Sequence, residues 1–340
     1  MVNFFSFDGE KHQWDSILRE ASDCNVFQSF NWGEYKRELG WIPYRFLGKN
    51  RGGEVCCLIQ VLVKKLPFGY SMGWAAGGPV LNFRRGGNDA VADILKSLAD
   101  YFSLNFPKIL LRIHNHLDDC SIYSYQLRRC FKRPFAKINS GFTIKIDLDS
   151  EELDFSKIMS SKHRYYEKKS RSSEIEWIFG VGDANISALL EVHNQMVERK
   201  KIASIAISEE GLIQLRNYFG DNGLTLLTGF FNGRPVTSCL TYDFCDHSIY
   251  MVAATNDLGR DICAAYSMIP NLLRYLSAKG IKKFDFGGID PGNVAAEGVD
   301  HFKKGFGGSI IEYLGEWEIA PSELVRIGMN LGLVKRGGRI

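Results

Sequence analysis

The sequence is short of several things, and each shortage narrows the reading. No run of 18 apolar residues occurs, so no membrane-spanning helix is expected. There is no G-x-x-x-x-G-K-[ST] phosphate loop and no G-x-S-x-G elbow, so neither that NTPase chemistry nor that hydrolase chemistry is indicated. The formal net charge is only +3, so no global field points to nucleic acid and any anion binding has to be local. The eight cysteines lack the paired spacing of a zinc site. Cys56 and Cys57 are adjacent and should point to opposite faces of a strand. Cys239, Cys245 and Cys263 lie in apolar or loop contexts. All read as reduced thiols of a cytoplasmic protein. Among the seven histidines only His114 and His116 are close in sequence. They flank Asn115 and are expected on opposite faces, so no metal site is expected. The opening "MVNFFSFDGEKHQW" has no basic segment followed by an apolar core, so it is not expected to be a signal peptide.

What is present is an ordinary globular composition: 340 residues, 45% hydrophobic and 24% charged, enough for two domains. The order of elements repeats. In the first half "NWGEYKRELGW" reads as a helix and "GEVCCLIQVLVKKL" as a strand pair. A helix with Val91, Ile94, Leu95 and Leu98 at helical spacing follows, then the buried strand "KILLRI". In the second half "NISALLEVHNQMVERKK" is a helix, and "LTLLTGFFNGRPVTSCLTYDF" is a hairpin about Asn232–Gly233. "HSIYMVAATN" is a further strand. "AAYSMIPNLLRYLSAKGIKKFDFGG" is a helix stopped at Gly280 and then a strand. This is an α+β unit used twice, with mixed, mostly antiparallel sheets flanked by helices. The charged segment 147–173 is expected to join the halves. The expected domains are 1–150 with the tail 316–340, and 151–315, packed closely with a cleft near their junction.

Chemistry is expected near the strand "KKFDFGG". Glycines after a buried strand let backbone or ligand approach closely. Asp285 should face away from its neighbours Phe284 and Phe286, either as a hydrogen-bonded carboxylate or as part of a cleft. Just beyond lies "GVDHFKKGFGG", 298–308. On one helical turn Lys303 and Lys304 point roughly 100° apart. One can be solvated while the other reaches inward to meet an oxyanion or a phosphate. Two other basic clusters have bland alternatives. "SSKHRYYEKKSRSS" (160–173) suits phosphates, single-stranded nucleic acid or a solvated helix. "MVERKKI" (196–202) also complements a helix C-terminus.

The stretch "FDFGGIDPGNVAAEGVDHFKKGFGGSIIEYLGEWE" (284–318) is similar to the C-terminal signature of the FemABX peptidyltransferases. These are tRNA-dependent enzymes that add amino acids to peptidoglycan precursors. "VFQSFNWGEYKRELGW" (26–41) resembles the family's Gln-(Ser/Thr)-x-x-Trp-x-x-x-Lys segment, and "WAAGGPV" (74–80) its Arg-Gly-Pro-Val strand end. "KHRYYEKKSRSSEI" (162–175) resembles its Arg-Tyr-x-x-x-Lys helix. The resemblance implies two tandem GNAT-like domains, with the C-terminal tail returning to the first. It implies that Phe302 and Lys303 stabilise the transition state, the lysine meeting the oxyanion. It further implies that Lys36, Arg199 and Tyr250 bind substrate. Departures are His114 where the family often has an aspartate, and Gly77 for the motif's arginine.

The resemblance thus implies a cytoplasmic acyltransferase with no bound cofactor or metal. Its donor would be an aminoacyl-tRNA or an acyl-CoA. Its acceptor would be a nucleotide- or lipid-linked cell-envelope precursor, of peptidoglycan or surface polysaccharide, with peripheral membrane contact an open expectation. An acyl-CoA-dependent GNAT enzyme is the first alternative. "ATNDLGRDICAAYSM" (254–268) offers Gly259 and Arg260 where such enzymes cradle pyrophosphate, without their repeated glycines. A non-catalytic binding module is the second.

Overall fold

The computed structural model describes residues 2–81, 83, 91–118, 121–149, 154–201 and 207–335. The first half contains β1 (Asn3–Ser6), α1 (Lys11–Arg19), α2 (Phe30–Glu38), β2 (Ile42–Lys49), β3 (Val55–Lys65), β4 (Ser71–Ala76), α3 (Val91–Asn105), β5 (Ile109–Asp118) and α4 (Ser121–Cys130). There follow β6 (Phe142–Asp147), α5 (Phe155–Ile158), α6 (Ser161–Arg171), β7 (Glu176–Phe179), α7 (Asp183–Lys200), α8 (Glu209–Gly223), β8 (Leu224–Phe231), β9 (Arg234–Phe244) and β10 (His247–Thr255). The chain ends with α9 (Asp257–Asp261), α10 (Ala264–Ala278), β11 (Lys283–Asp285), α11 (Glu297–Lys304), β12 (Ser309–Ile319) and α12 (Glu323–Lys335). Two compact units result: unit 1 is Met1–Phe142 with Glu312–Ile340, and unit 2 is Thr143–Ile311. The domain boundary expected at 150 and 151 lies outside the described residues.

The fold is α+β, and the repeat is topological. In unit 1, β1, β2, β3 and β4 pair antiparallel in that order, β4 runs parallel to β5, and β12 closes antiparallel on β5. In unit 2, β7, β8, β9 and β10 pair antiparallel, β10 runs parallel to β11, and β6 closes antiparallel on β11. A helix, α3 or α10, makes the crossover between each parallel pair, as a parallel connection requires. The short edge strands β1 and β7 carry too few alternating residues to be read in advance.

Local chemistry explains the elements. α3 buries Ile94, Leu95, Leu98 and Phe102 at helical spacing against Phe46, Ile113 and Trp317. Each such side chain contributes about 1.5–3 kcal/mol of burial. The Asn232–Gly233 turn takes positive φ at both positions, 51° and 73°, as the tight β8–β9 hairpin requires. One expectation is corrected: "GEVCCLIQVLVKKL" is not a strand pair but the single strand β3. Nothing between Val55 and Lys65 can turn the chain; the glycine turn, with Gly53 at φ +83°, precedes it. The tail is tied to unit 1 by a buried charge. The fully buried Arg112 guanidinium donates to Glu318 Oε2 at 2.6 Å and to Asn330 Oδ1 at 3.0 Å, and a charge there is tolerable only when so paired.

A candidate active site around Lys303

The site in unit 2 starts from the mismatch between β10 and β11. Their pairing covers three residues, ending at Ile249 opposite Asp285. β10 then runs on to Thr255, with a bulge between Tyr250 and Val252, a device that re-aims side chains and recurs beside active sites. The other chain turns away at Gly287, whose φ is +67°. Asp285 holds that turn. Its Oδ1 accepts from the Gly287 amide at 2.8 Å and from the Thr143 hydroxyl, so it is half-buried and hydrogen-bonded while Phe284 and Phe286 are fully buried. Both phenylalanine rings meet the Tyr250 ring, at 6.1 and 5.9 Å. Burial pushes the Tyr250 phenol well above its ordinary pKa.

No side chain fits at 287. A Cβ there would stand 2.7 Å from the Tyr250 carbonyl oxygen, and the backbone is left-handed. Gly287→Ala should therefore cost about 1–2 kcal/mol and displace the Gly287 carbonyl. Urea unfolding checks the first effect; an unchanged midpoint contradicts it.

α11 brings Lys303 to this turn. Its Nζ donates to the carbonyls of Gly287 (3.2 Å) and Gly288 (2.8 Å). An ammonium has three N–H groups, and the third has no acceptor among the described residues, so it remains for a ligand. Lys303 is half-buried and Lys304 exposed. Burial lowers the Lys303 pKa, and the Asp285 and Asp300 carboxylates oppose that shift. Asp300 is itself buried and accepts from the Asp290 amide at 2.9 Å.

The neighbour of Lys303 is fixed by a residue that sequence reasoning did not single out. The Phe302 ring packs edge-on against Tyr266 (5.4 Å) and Phe306 (4.9 Å). The Phe302 carbonyl lies 2.9 Å from His163 Nε2. A carbonyl can only accept, so Nε2 carries the proton and Nδ1 accepts from Ser160 Oγ at 3.0 Å. Burial lowers the His163 pKa, in keeping with this neutral form. Ser160 also caps α6 through the His163 amide. Gly305 is obligatory here, since a Cβ would come within 1.8 Å of the imidazole. The available signal was a Ser-x-x-His helix start, too common to weigh alone.

Of the expected residues, unit 2 brings Lys303, Phe302 and Tyr250 to the Gly287 turn, and it does not place Arg199 there. Arg199 stands near the far end of β10, donating to the Thr255 carbonyl (3.2 Å) and Asp257 Oδ1 (2.8 Å). It lines an open hollow of about 850 Å³ with Gln195, Arg234 and Asn256.

Lys36 belongs to unit 1, and its motif has a physical account. Gln28, fully buried, donates to the Gln60 and Ala76 carbonyls and so ties the segment to β3 and β4. Ser29 caps α2 through the Trp32 amide at 3.2 Å. Trp32, one turn before Lys36, places its ring 4.6 Å from the ammonium. Lys36 has no carboxylate partner among the described residues, and burial lowers its pKa. The glycine at 77 also has a reason: a side chain there would collide with Asn25, at 2.1 Å from its Oδ1. His114 is buried with Nε2 unpartnered among the described residues. Its ring lies 4.9 Å from that of His116. The expectation of opposite faces is thus corrected, because residues two apart on a strand share a face.

The α+β unit used twice is a GNAT-like fold. Among solved structures the chain is similar to the tandem GNAT protein from the clavulanic acid biosynthesis pathway, with 10% identity, 95% of this chain and 99% of that one covered, and a TM-score of 0.54. It is similar to L-PGS from Bacillus licheniformis, with 11% identity, coverage of 95% and 96%, and a TM-score of 0.58. It is also similar to FemX, with 14% identity, coverage of 96% and 100%, and a TM-score of 0.80. At these identities the likeness is one of fold. No curated protein matches the chain in sequence. Residues 232–330 match the model of the FemAB family. The family resemblance read from the sequence therefore holds, over the stretch that carries Tyr250, Phe302 and Lys303. Among the described residues no helix is long and apolar enough to cross a membrane.

Proposed function

We propose that the chain is an aminoacyltransferase of the FemAB type, forming an amide on a cell-envelope precursor in the cytoplasm. The carrying observation is the Lys303 ammonium, held on the Gly287 and Gly288 carbonyls with one N–H to spare. In this reading an amine of the acceptor attacks the ester carbonyl of an aminoacyl-tRNA. The carbonyl π pair moves to oxygen, and Lys303 donates to the oxyanion as it forms. Collapse re-forms the carbonyl, expels the ribose oxygen, which takes a proton, and leaves an amide. The attacking amine loses its proton to solvent or to a substrate group. Phe302 positions Lys303, and Tyr250 walls the site.

Lys36 and Arg199 are the cations proposed to meet the phosphates of a nucleotide-linked precursor. They differ in one respect that a measurement can read. Arg199 is already paired with Asp257, whereas Lys36 has no carboxylate partner among the described residues and lies against the Trp32 ring. Lys36→Ala should raise KM about tenfold, as expected for loss of a charged hydrogen bond. Arg199→Ala should raise it less, and both effects should shrink at high salt. Equal KM values in wild type and both variants at low salt would contradict the assignment.

The acyl-CoA reading is weighed down by a specific contact. The Gly259 amide, where a pyrophosphate would be cradled, is taken by Asn256 Oδ1 at 2.9 Å. A single-turnover assay tests the proposal: radiolabel on the amino acid should move from tRNA to a peptide-bearing precursor. Label that stays on the tRNA contradicts it.

A further inference from the structure

One face of unit 1 has no part in the acyl-transfer reading. α12 is two-sided. Asn330 and Leu333 are buried, while Leu324 (82% exposed), Ile327, Leu331 and Val334 (58%) face outward. Spaced three, four and three residues apart, these four form one stripe roughly 15 Å long. The buried side joins two other elements. Leu333 shares a small core with Met72 and Ala136, against which Leu66 and Ile138 pack. The β3–β4 turn and segment 132–138 therefore lie beside α12, and each carries an outward aromatic. Phe68 is 92% exposed and Phe135 52%. Single exposed apolar side chains are ordinary, but here six lie on three elements that meet at the Leu333 core.

The charges around this region are mostly positive. Lys65, Lys132, Arg133, Lys137 and Lys335 are exposed. No acid occurs in 64–71 or in 126–138. The one acid at the start of α12, Glu323, is held by Lys132 and Arg326.

We propose that this face docks on the surface of an anionic lipid bilayer. Separate apolar tips within a field of cations match the interfacial region, where apolar side chains enter the acyl boundary and lysines meet anionic headgroups. A second copy fits less well. A self-pair would set the cations of this face against one another. The inference does not depend on the acyl-transfer reading.

Flotation of the full chain with vesicles tests it, using phosphatidylcholine alone and phosphatidylcholine with about 30% phosphatidylglycerol. Binding should appear with the anionic vesicles and be weak with the neutral ones. Lys137→Ala with Lys335→Ala should weaken it about 25-fold, roughly fivefold per cation near the surface. Leu324→Asp with Leu331→Asp should weaken it more than tenfold. Both double variants should melt as wild type does, because every altered side chain is exposed, and the Phe68→Ser variant gives an independent apolar probe. Three results would overturn the proposal: no flotation with anionic vesicles, equal binding by wild type and the leucine variant, or a dimer in sedimentation that the leucine variant abolishes.

Discussion

Lys303→Ala should lower kcat by about 10²–10³ with little change in KM. An oxyanion exists only as the reaction proceeds, so a donor aimed at it acts on turnover rather than on ground-state binding. That range is the usual loss when one such donor is removed. Lys304→Ala, one position along α11 and exposed, should leave both constants near wild type. The substitution also frees the Gly287 and Gly288 carbonyls, so unfolding is measured beside kinetics: a fall in stability with unchanged kcat would reduce Lys303 to a staple. The pH profile gives a second readout. The folded-state pKa of Lys303 is lowered by burial. The ammonium is present below that pKa and lost above it, so kcat should fall as pH rises through a value below the ordinary lysine 10.5. Lys303→Arg, whose guanidinium does not titrate there, should lack this alkaline limb.

The second large effect is on stability, at His114. Burial pushes its pKa down from 6.5 to about 4. Between those values the unfolded chain binds a proton that the folded chain refuses, so stability falls as pH drops through the window. Two and a half units correspond to about 3 kcal/mol. Above pH 6.5 the imidazole is neutral in both states and the effect vanishes. His114→Phe keeps an aromatic ring stacked on Trp74 and removes the titration. Urea unfolding from pH 7 to pH 4 should show the wild type losing about 3 kcal/mol more than the variant. Parallel curves would contradict a proton-refusing histidine.

Much of this was legible in residue order. Helical spacing, the Asn232–Gly233 turn and the Gly280 stop are local signals, and the repeat of strands and crossover helices follows from them. Lys303 and Lys304 were separable because neighbours on a helix diverge. What stayed hidden depends on distant partners. The Gly287 and Gly288 carbonyls that seat Lys303 are sixteen and fifteen residues away and carry no side-chain mark. His163 bonds to a backbone carbonyl 139 residues away, which no pattern announces. His114 and His116 were misread on the alternation of a strand, the plainest periodicity there is. Arg199 reads as a binding cation in sequence, yet its pairing with Asp257 depends on α9 and the end of β10 meeting α7.

The central claim is that the Lys303 site transfers an aminoacyl group to an amine. Intact-mass measurement of a purified peptide-bearing envelope precursor tests it most directly, after incubation with the chain and either aminoacyl-tRNA or acyl-CoA. The account predicts a gain of one amino-acid residue with the charged tRNA, none with acyl-CoA, and a slowed gain with Lys303→Ala. A gain of an acyl group from acyl-CoA, or no mass change with either donor, would contradict it.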